Sequence, residues 1–127
     1  MRFTQDSSSA AHVIRAYSQG ELKIDAEVYR ETIIISASAL ERVPEIRAIG
    51  DLNDAEVALA VASRMRALDP ELALLGTGAR QVFPPAEFRA QFLRAGIGIE
   101  AMDSGAACRT FNVLVAERRR VVALVMV

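Results

Sequence analysis

The side chains that could do chemistry are concentrated in one short stretch, residues 102–114. Its candidate functional side chains are Asp103, Cys108, Arg109, Thr110 and Asn112. A carboxylate, a thiol and a guanidinium are groups used in acid–base catalysis, nucleophilic attack and anion binding. A complete catalytic set is missing, because a thiol nucleophile needs a nearby base and nothing in the sequence places the only histidine, His12, beside Cys108. The residue type favours a buried structural cysteine, and a reactive thiol is the alternative.

The same stretch predicts a helix. Asp103 or Ser104 is suited to cap it, and Gly105-Ala106-Ala107 would let it approach a sheet closely. Arg109, Thr110 and Asn112 then lie away from its apolar side. Solvation and local hydrogen bonding explain these polar positions as readily as a binding patch does.

A second motif is the glycine loop Gly76-Thr77-Gly78, followed by Arg80. Backbone N–H groups in such a loop can hold an anion at the carboxyl end of a parallel strand. The loop matches neither the dinucleotide fingerprint, since position 81 is Gln, nor a phosphate loop. A tight turn that needs positive φ is therefore the favoured interpretation, and an anion site is the alternative. We expect this loop and the 103–112 segment to share one sheet edge and to border a cleft.

The elements that must position these residues follow from periodicity. Residues 13–36 predict an antiparallel β meander, with one strand over 22–28 and another over 32–36. A short strand is expected at 45–49. Asn53 or Asp54 then caps a helix, and Pro84 opens another with Phe88, Phe92 and Leu93 on one face. Strands at 71–75, 97–101 and 121–127 alternate with the helices, which predicts a β-α-β-α-β unit with a largely parallel core.

Length and composition limit the possibilities further. The 127 residues fit one domain, predicted at 10–127 after a flexible arm at 1–9. The formal net charge of −1 argues against a nucleic-acid partner, and the three arginines at 118–120 can be explained by the end of a helix. A single cysteine predicts a reducing, cytoplasmic location, and no spacing of residues suggests a metal or cofactor. The apolar C-terminal segment is too short to span a bilayer.

Several segments together resemble a known family. They are Gly76-Thr77-Gly78, Ile99-Glu100, Met102-Asp103, residues 106–114 and Arg119-Arg120-Val121. The chain is similar to the small uncharacterised α/β domain family that includes mitochondrial complex I assembly factor 3 and the adipogenesis-associated domain proteins. That resemblance implies a three-layer domain, with a meander and a mixed sheet flanked by helices, and no assigned enzymatic activity. The chain departs from it in having Phe111 where a Tyr is frequent, and in having no Trp.

The functional hypothesis combines the resemblance with the incomplete catalytic set. It is a bacterial, non-catalytic protein-interaction or assembly-factor module whose partners are subunits of a membrane respiratory complex. Asp103, Arg109 and Asn112 would form the recognition patch. The alternative is an enzyme or small-ligand binder that uses the cleft between the glycine loop and the 103–112 segment. The sequence is also compatible with a homodimer.

Overall fold

Two sheets organise the computed structural model, which describes residues 10–127. The predicted arm at 1–9 lies outside the described residues. The first sheet is an antiparallel meander with the spatial order β1-β2-β3. Its strands are β1 (Ile14–Ser18), β2 (Glu21–Ile24) and β3 (Glu27–Tyr29).

The prediction of one continuous strand over 22–28 is wrong. The chain reverses at Asp25-Ala26, and Ile24 pairs with Glu27 across a two-residue turn. Asp25 takes a left-handed φ of 54°, which Asp tolerates better than most residues. Its Oδ1 accepts a hydrogen bond from the Val13 N–H at 3.0 Å, and its Oδ2 lies 2.7 Å from Nδ1 of His12. The alternating pattern hid the turn because alternation continues on both sides of it.

Within residues 10–127, the second sheet has five strands in the order β5-β4-β8-β6-β7. Strand β8 is parallel to β6 and antiparallel to β4, and β7 is parallel to β6. The sheet is therefore mixed, and the predicted α/β class, a meander followed by alternating strands and helices, is confirmed. Its strands are β4 (Ile33–Ser36), β5 (Leu40–Arg42), β6 (Leu72–Thr77), β7 (Gly98–Met102) and β8 (Val121–Met126).

The helices complete three layers around the second sheet. They are α1 (Ala55–Arg66), α2 (Ala86–Leu93) and α3 (Ser104–Ala116). Helices α1 and α2 pack with one set of alternating strand residues, and α3 packs with the other set together with the meander. Each face of the sheet is thus buried, which explains why β6 and β8 read as nearly continuous apolar runs.

Two local predictions in the helical part fail. No strand forms at 45–49, and residues Ile49–Asn53 instead form a 3₁₀ turn that leads to the cap of α1 at Asp54. Leu93 is 55% exposed and does not share the buried face of Phe88 and Phe92. The last turn of α2 places it on the solvent side, because five positions separate it from Phe88 rather than three or four.

Candidate functional site

The glycine loop and the start of α3 meet at the carboxyl ends of β6 and β7, as predicted, but they are in direct contact. The Gly78 N–H donates to Ser104 Oγ at 2.8 Å, and the Ser104 N–H donates back to the Gly78 carbonyl at 2.8 Å. Ser104 Oγ in turn donates to the Met126 carbonyl at the end of β8. Ser104 is fully buried, so it fills the space where a cleft was expected. We call Gly76, Thr77, Gly78 and Ser104 the Ser104 junction.

The two glycines of the junction have different roles. Gly78 has a φ of +92°, as the tight-turn interpretation requires. Gly76 is a strand residue, and a Cβ there would lie 3.0 Å from both Ala107 Cβ and Ser104 Oγ. Gly76 therefore allows α3 to approach the sheet.

Thr77 and Arg80 also take part in the turn. Thr77 Oγ1 donates to the Arg80 carbonyl at 2.6 Å and accepts from the Val82 N–H at 3.1 Å. The Arg80 side chain is exposed. The Thr77 hydroxyl and the Gly78 N–H, two donors that an anion could use at this loop, are thus already engaged within the fold.

Asp103 is the N-cap of α3. Its Oδ1 accepts a hydrogen bond from the Ala106 N–H at 2.9 Å, which satisfies a free donor of the first turn. The predicted alternative cap, Ser104, is instead the first helical residue and the centre of the junction.

A second region forms where α3 crosses β1. Asn112 Nδ2 donates to the Ile14 carbonyl at 2.8 Å, and Asn112 Oδ1 accepts from the Ile14 N–H at 3.0 Å. The side-chain amide thus pairs with the backbone of β1 as another strand would. The residues are 98 positions apart, so no local pattern could have revealed the pairing.

Beside this pairing lies a depression of about 200 Å³, which we call the α3–β1 groove. It is lined by Ile14, Arg15, Ala16, Tyr17, Gly105, Cys108, Arg109 and Asn112. Arg15 and Arg109 are exposed, and within residues 10–127 neither has an ion-pair partner. Sequence analysis singled out three lining residues and missed the contribution of β1.

The ionisable groups at the floor of the groove are held in their neutral forms. Cys108 is 5% exposed, and burial raises the pKa of its thiol to about 12. Burial also raises the pKa of the Tyr17 phenol, and the nearby Cys108 and Asp103 add to that effect. Tyr17 Oη is buried without a hydrogen-bond partner among the described residues. The groove therefore presents cationic side chains above a floor that stays uncharged near neutral pH.

The remaining predicted residue, Thr110, does not line the groove. It is half-buried, and its helical position turns it about 100° away from Arg109. His12 is not among the residues that line the groove, and its Nδ1 lies 2.7 Å from Asp25 Oδ2 in the meander.

Another depression, of about 660 Å³, lies at the opposite end of the sheet. It is bordered by Arg118, Arg119 and Arg120 after α3, by Ser36 at the end of β4, and by Ser38 just beyond that strand. Arg119 Nε lies 3.2 Å from Glu71 Oε2, and Arg120 Nε donates to the Asp69 carbonyl at 3.0 Å. These bonds join the end of α3 to the start of β6.

None of the helices within residues 10–127 is long and apolar enough to cross a membrane.

Comparison with known proteins gives consistent matches. The family model for a protein of unknown function, DUF498/DUF598, matches residues 14–126. The 13 kDa major membrane protein of Francisella tularensis is 30% identical over 127 residues, which are 99% of each chain. Assembly factor 3 of the NADH dehydrogenase 1 alpha subcomplex from Danio rerio is 30% identical over 118 residues, 91% of this chain and 64% of that protein.

A solved structure supports the same relationship. The NMR structure of a Xanthomonas campestris protein superposes with a TM-score of 0.80 at 34% identity, covering 100% of this chain and 92% of that one. These matches confirm the resemblance seen in the sequence.

Proposed function

Since the chain belongs to the DUF498/DUF598 family of proteins of unknown function, we propose that it is a non-catalytic protein-interaction module that helps to assemble a membrane respiratory complex. The assembly role is suggested by the relative named as an assembly factor of NADH dehydrogenase. In this proposal the chain is cytoplasmic and meets the complex from that side.

The chemistry of the α3–β1 groove carries the proposal. General acid–base catalysis needs a group that can exchange a proton near the working pH, and a cysteine nucleophile must lose its proton there. In this groove the thiol pKa is raised to about 12 and the phenol pKa is also raised, so both groups keep their protons. What the groove offers instead is a fixed surface with exposed guanidinium groups, which suits binding.

The same chemistry indicates the kind of partner. Arg15 and Arg109 border the groove without ion-pair partners within residues 10–127. A guanidinium presents a planar set of donors that matches a carboxylate. We therefore propose that the groove takes an acidic segment of a complex subunit. The glycine loop is not proposed as a binding site, because a ligand there would have to displace Ser104.

Affinity capture from gently solubilised membranes tests the proposal. Wild type, Arg109→Glu and Arg94→Glu would be compared for enrichment of NADH dehydrogenase subunits. Arg94 is an exposed arginine just after α2, on the opposite face of the sheet, so it controls for the change in net charge. We expect at least ten-fold less enrichment with Arg109→Glu and no change with Arg94→Glu.

Two results would overturn the proposal. Equal enrichment with both variants would place the contact elsewhere. A melting temperature several degrees lower for Arg109→Glu alone would make Arg109 a structural residue.

A further inference from the structure

The two edges of the five-stranded sheet are protected to different degrees. Strand β5 is only three residues long, and Arg64 Nη2 donates to its Arg42 carbonyl at 3.1 Å. Arg64 also pairs with Glu41 at 3.0 Å and Glu45 at 3.2 Å, so charged side chains cover that edge. Strand β7 has five residues, and on its outer side, away from β6, no strand formed by residues 10–127 pairs with it.

One hydrogen bond shows which backbone groups of β7 point towards β6 and which point outwards. The Gly98 N–H donates towards the β6 side, to the Glu71 carbonyl at 3.3 Å. Because a trans peptide unit is planar, the Ile97 carbonyl points the opposite way, outwards. By alternation, the N–H and carbonyl of Ile99 and of Ala101 point outwards too. The Ala101 carbonyl is already taken by Gln81 Nε2 at 2.8 Å.

We propose that a second copy of the chain pairs with this edge, antiparallel, through β7 of each copy. Within residues 10–127, the outward groups without a hydrogen-bond partner are two donors, the N–H groups of Ile99 and Ala101, and two acceptors, the carbonyls of Ile97 and Ile99. With a two-fold axis at Ile99, the Ile99 N–H of each copy donates to the Ile99 carbonyl of the other copy. Each Ala101 N–H then donates to the Ile97 carbonyl of the other copy. This register uses every free group and keeps the bond from Gln81.

Side chains select the same register. It places Gly98 directly opposite Glu100 of the other copy, so the exposed carboxylate meets no side chain. A register centred on Glu100 would put two carboxylates opposite each other, which is unfavourable. One centred on Ala101 would compete for the carbonyl that Gln81 occupies.

An exposed aromatic side chain lies along this edge. Phe83 is 77% exposed, the most exposed of the large hydrophobic side chains in the described part of the chain. With Pro84 and Ile99 it lines a depression of about 250 Å³ on the outer side of β7. A second copy seated on β7 would cover apolar surface that the single chain leaves in water.

Introducing a positive or a negative charge at position 98 should shift the dimer equilibrium in opposite directions. Sedimentation equilibrium at low salt would compare wild type, Gly98→Lys and Gly98→Glu. We expect wild type to form dimers with increasing concentration. Lys at 98 would face Glu100 of the other copy at two symmetric positions and tighten the dimer on the order of ten-fold, while Glu would weaken it by a similar factor.

Both variants add a Cβ that lies 3.2 Å from Leu72 Cδ1, so any steric cost is common to the two. A double variant, Gly98→Lys with Glu100→Lys, should lose the gain because like charges face each other again. Should the variants at 98 fail to fold, Phe83→Ser is expected to weaken the dimer without unfolding the chain.

A wild type that stays monomeric up to millimolar concentration would overturn the proposal. So would folded Lys and Glu variants that shift the dimer equilibrium in the same direction, because that result would place the dimer contact on another surface.

Discussion

The Ser104 junction and the α3–β1 groove are built on the same helix, yet they use their polar residues in opposite ways. At the junction, Ser104 is fully buried and bonded to both Gly78 and Met126. In the groove, one turn further along α3, Arg109 is exposed and has no ion-pair partner within residues 10–127. Polar residues that are close in sequence can therefore be divided between holding the fold together and facing solvent.

The strongest test of the contrast is to add volume at the junction. Gly76→Val would force β-branched methyl groups into space where even a Cβ lies 3.0 Å from Ala107 Cβ. Overpacking of this kind costs about 3 kcal/mol of the free energy of unfolding. Urea denaturation measures it, with a smaller loss expected for Gly76→Ala.

Gly50→Ala is the matched control, because the nearest atom to a Cβ there is Asn53 Nδ2 at 3.9 Å. It should leave stability within about 0.5 kcal/mol of wild type. Equal losses at the two glycines would mean that the cost is conformational and that α3 is not held close to the sheet by Gly76.

These features show what the sequence could and could not predict. The cap at Asp103 and the positive φ at Gly78 were predictable, since each depends on neighbours within a few residues. The role of Ser104 was not, because its hydroxyl bridges segments 26 and 22 positions away. Periodicity predicted the order of helices and strands from Asp54 onwards, where each element buries a regular face.

The next largest effect is expected at the polar link within the groove. Asn112→Ala would remove both hydrogen bonds to the backbone of Ile14. The partly buried N–H and carbonyl of Ile14 would then have no partners. We expect the free energy of unfolding to fall by about 2 kcal/mol. Increased hydrogen exchange at the Ile14 amide would locate the effect in β1.

Asn112→Asp is the matched variant, since it keeps the acceptor for the Ile14 N–H and loses the donor. Its loss should be smaller than that of Ala at neutral pH. If neither variant changes stability, β1 is held by its apolar contacts and the amide pairing contributes little.

A third prediction concerns the floor of the groove. Because burial raises the pKa of Cys108 from 9.0 to about 12, the folded state holds the thiol proton more tightly than the unfolded state. The resulting stability is complete below about pH 9 and is lost as the pH rises towards 12. The loss is about 1.4 kcal/mol per pH unit within that window.

Urea unfolding at pH 7 and pH 10 measures this loss. Cys108→Ser is the control, because the tyrosines with raised pKa values lose stability in the same direction in both proteins. We expect wild type to lose about 1.4 kcal/mol more than the serine variant. Rapid reaction of folded wild type with a thiol reagent at pH 8 would contradict a buried, protonated Cys108 and revive the reactive-thiol hypothesis.

The smallest effect on stability should come from the residue that we consider most important for binding. The Arg109 side chain makes no hydrogen bond or ion pair within residues 10–127 and is exposed on α3. Arg109→Ala should therefore change the free energy of unfolding by less than about 0.5 kcal/mol. Alanine also has a helix propensity at least as good as that of arginine. A measured loss near that of Asn112→Ala would mean that Arg109 holds the groove together. The contrast between a structural junction and a binding groove would then fail, because both regions would use their polar side chains for the fold.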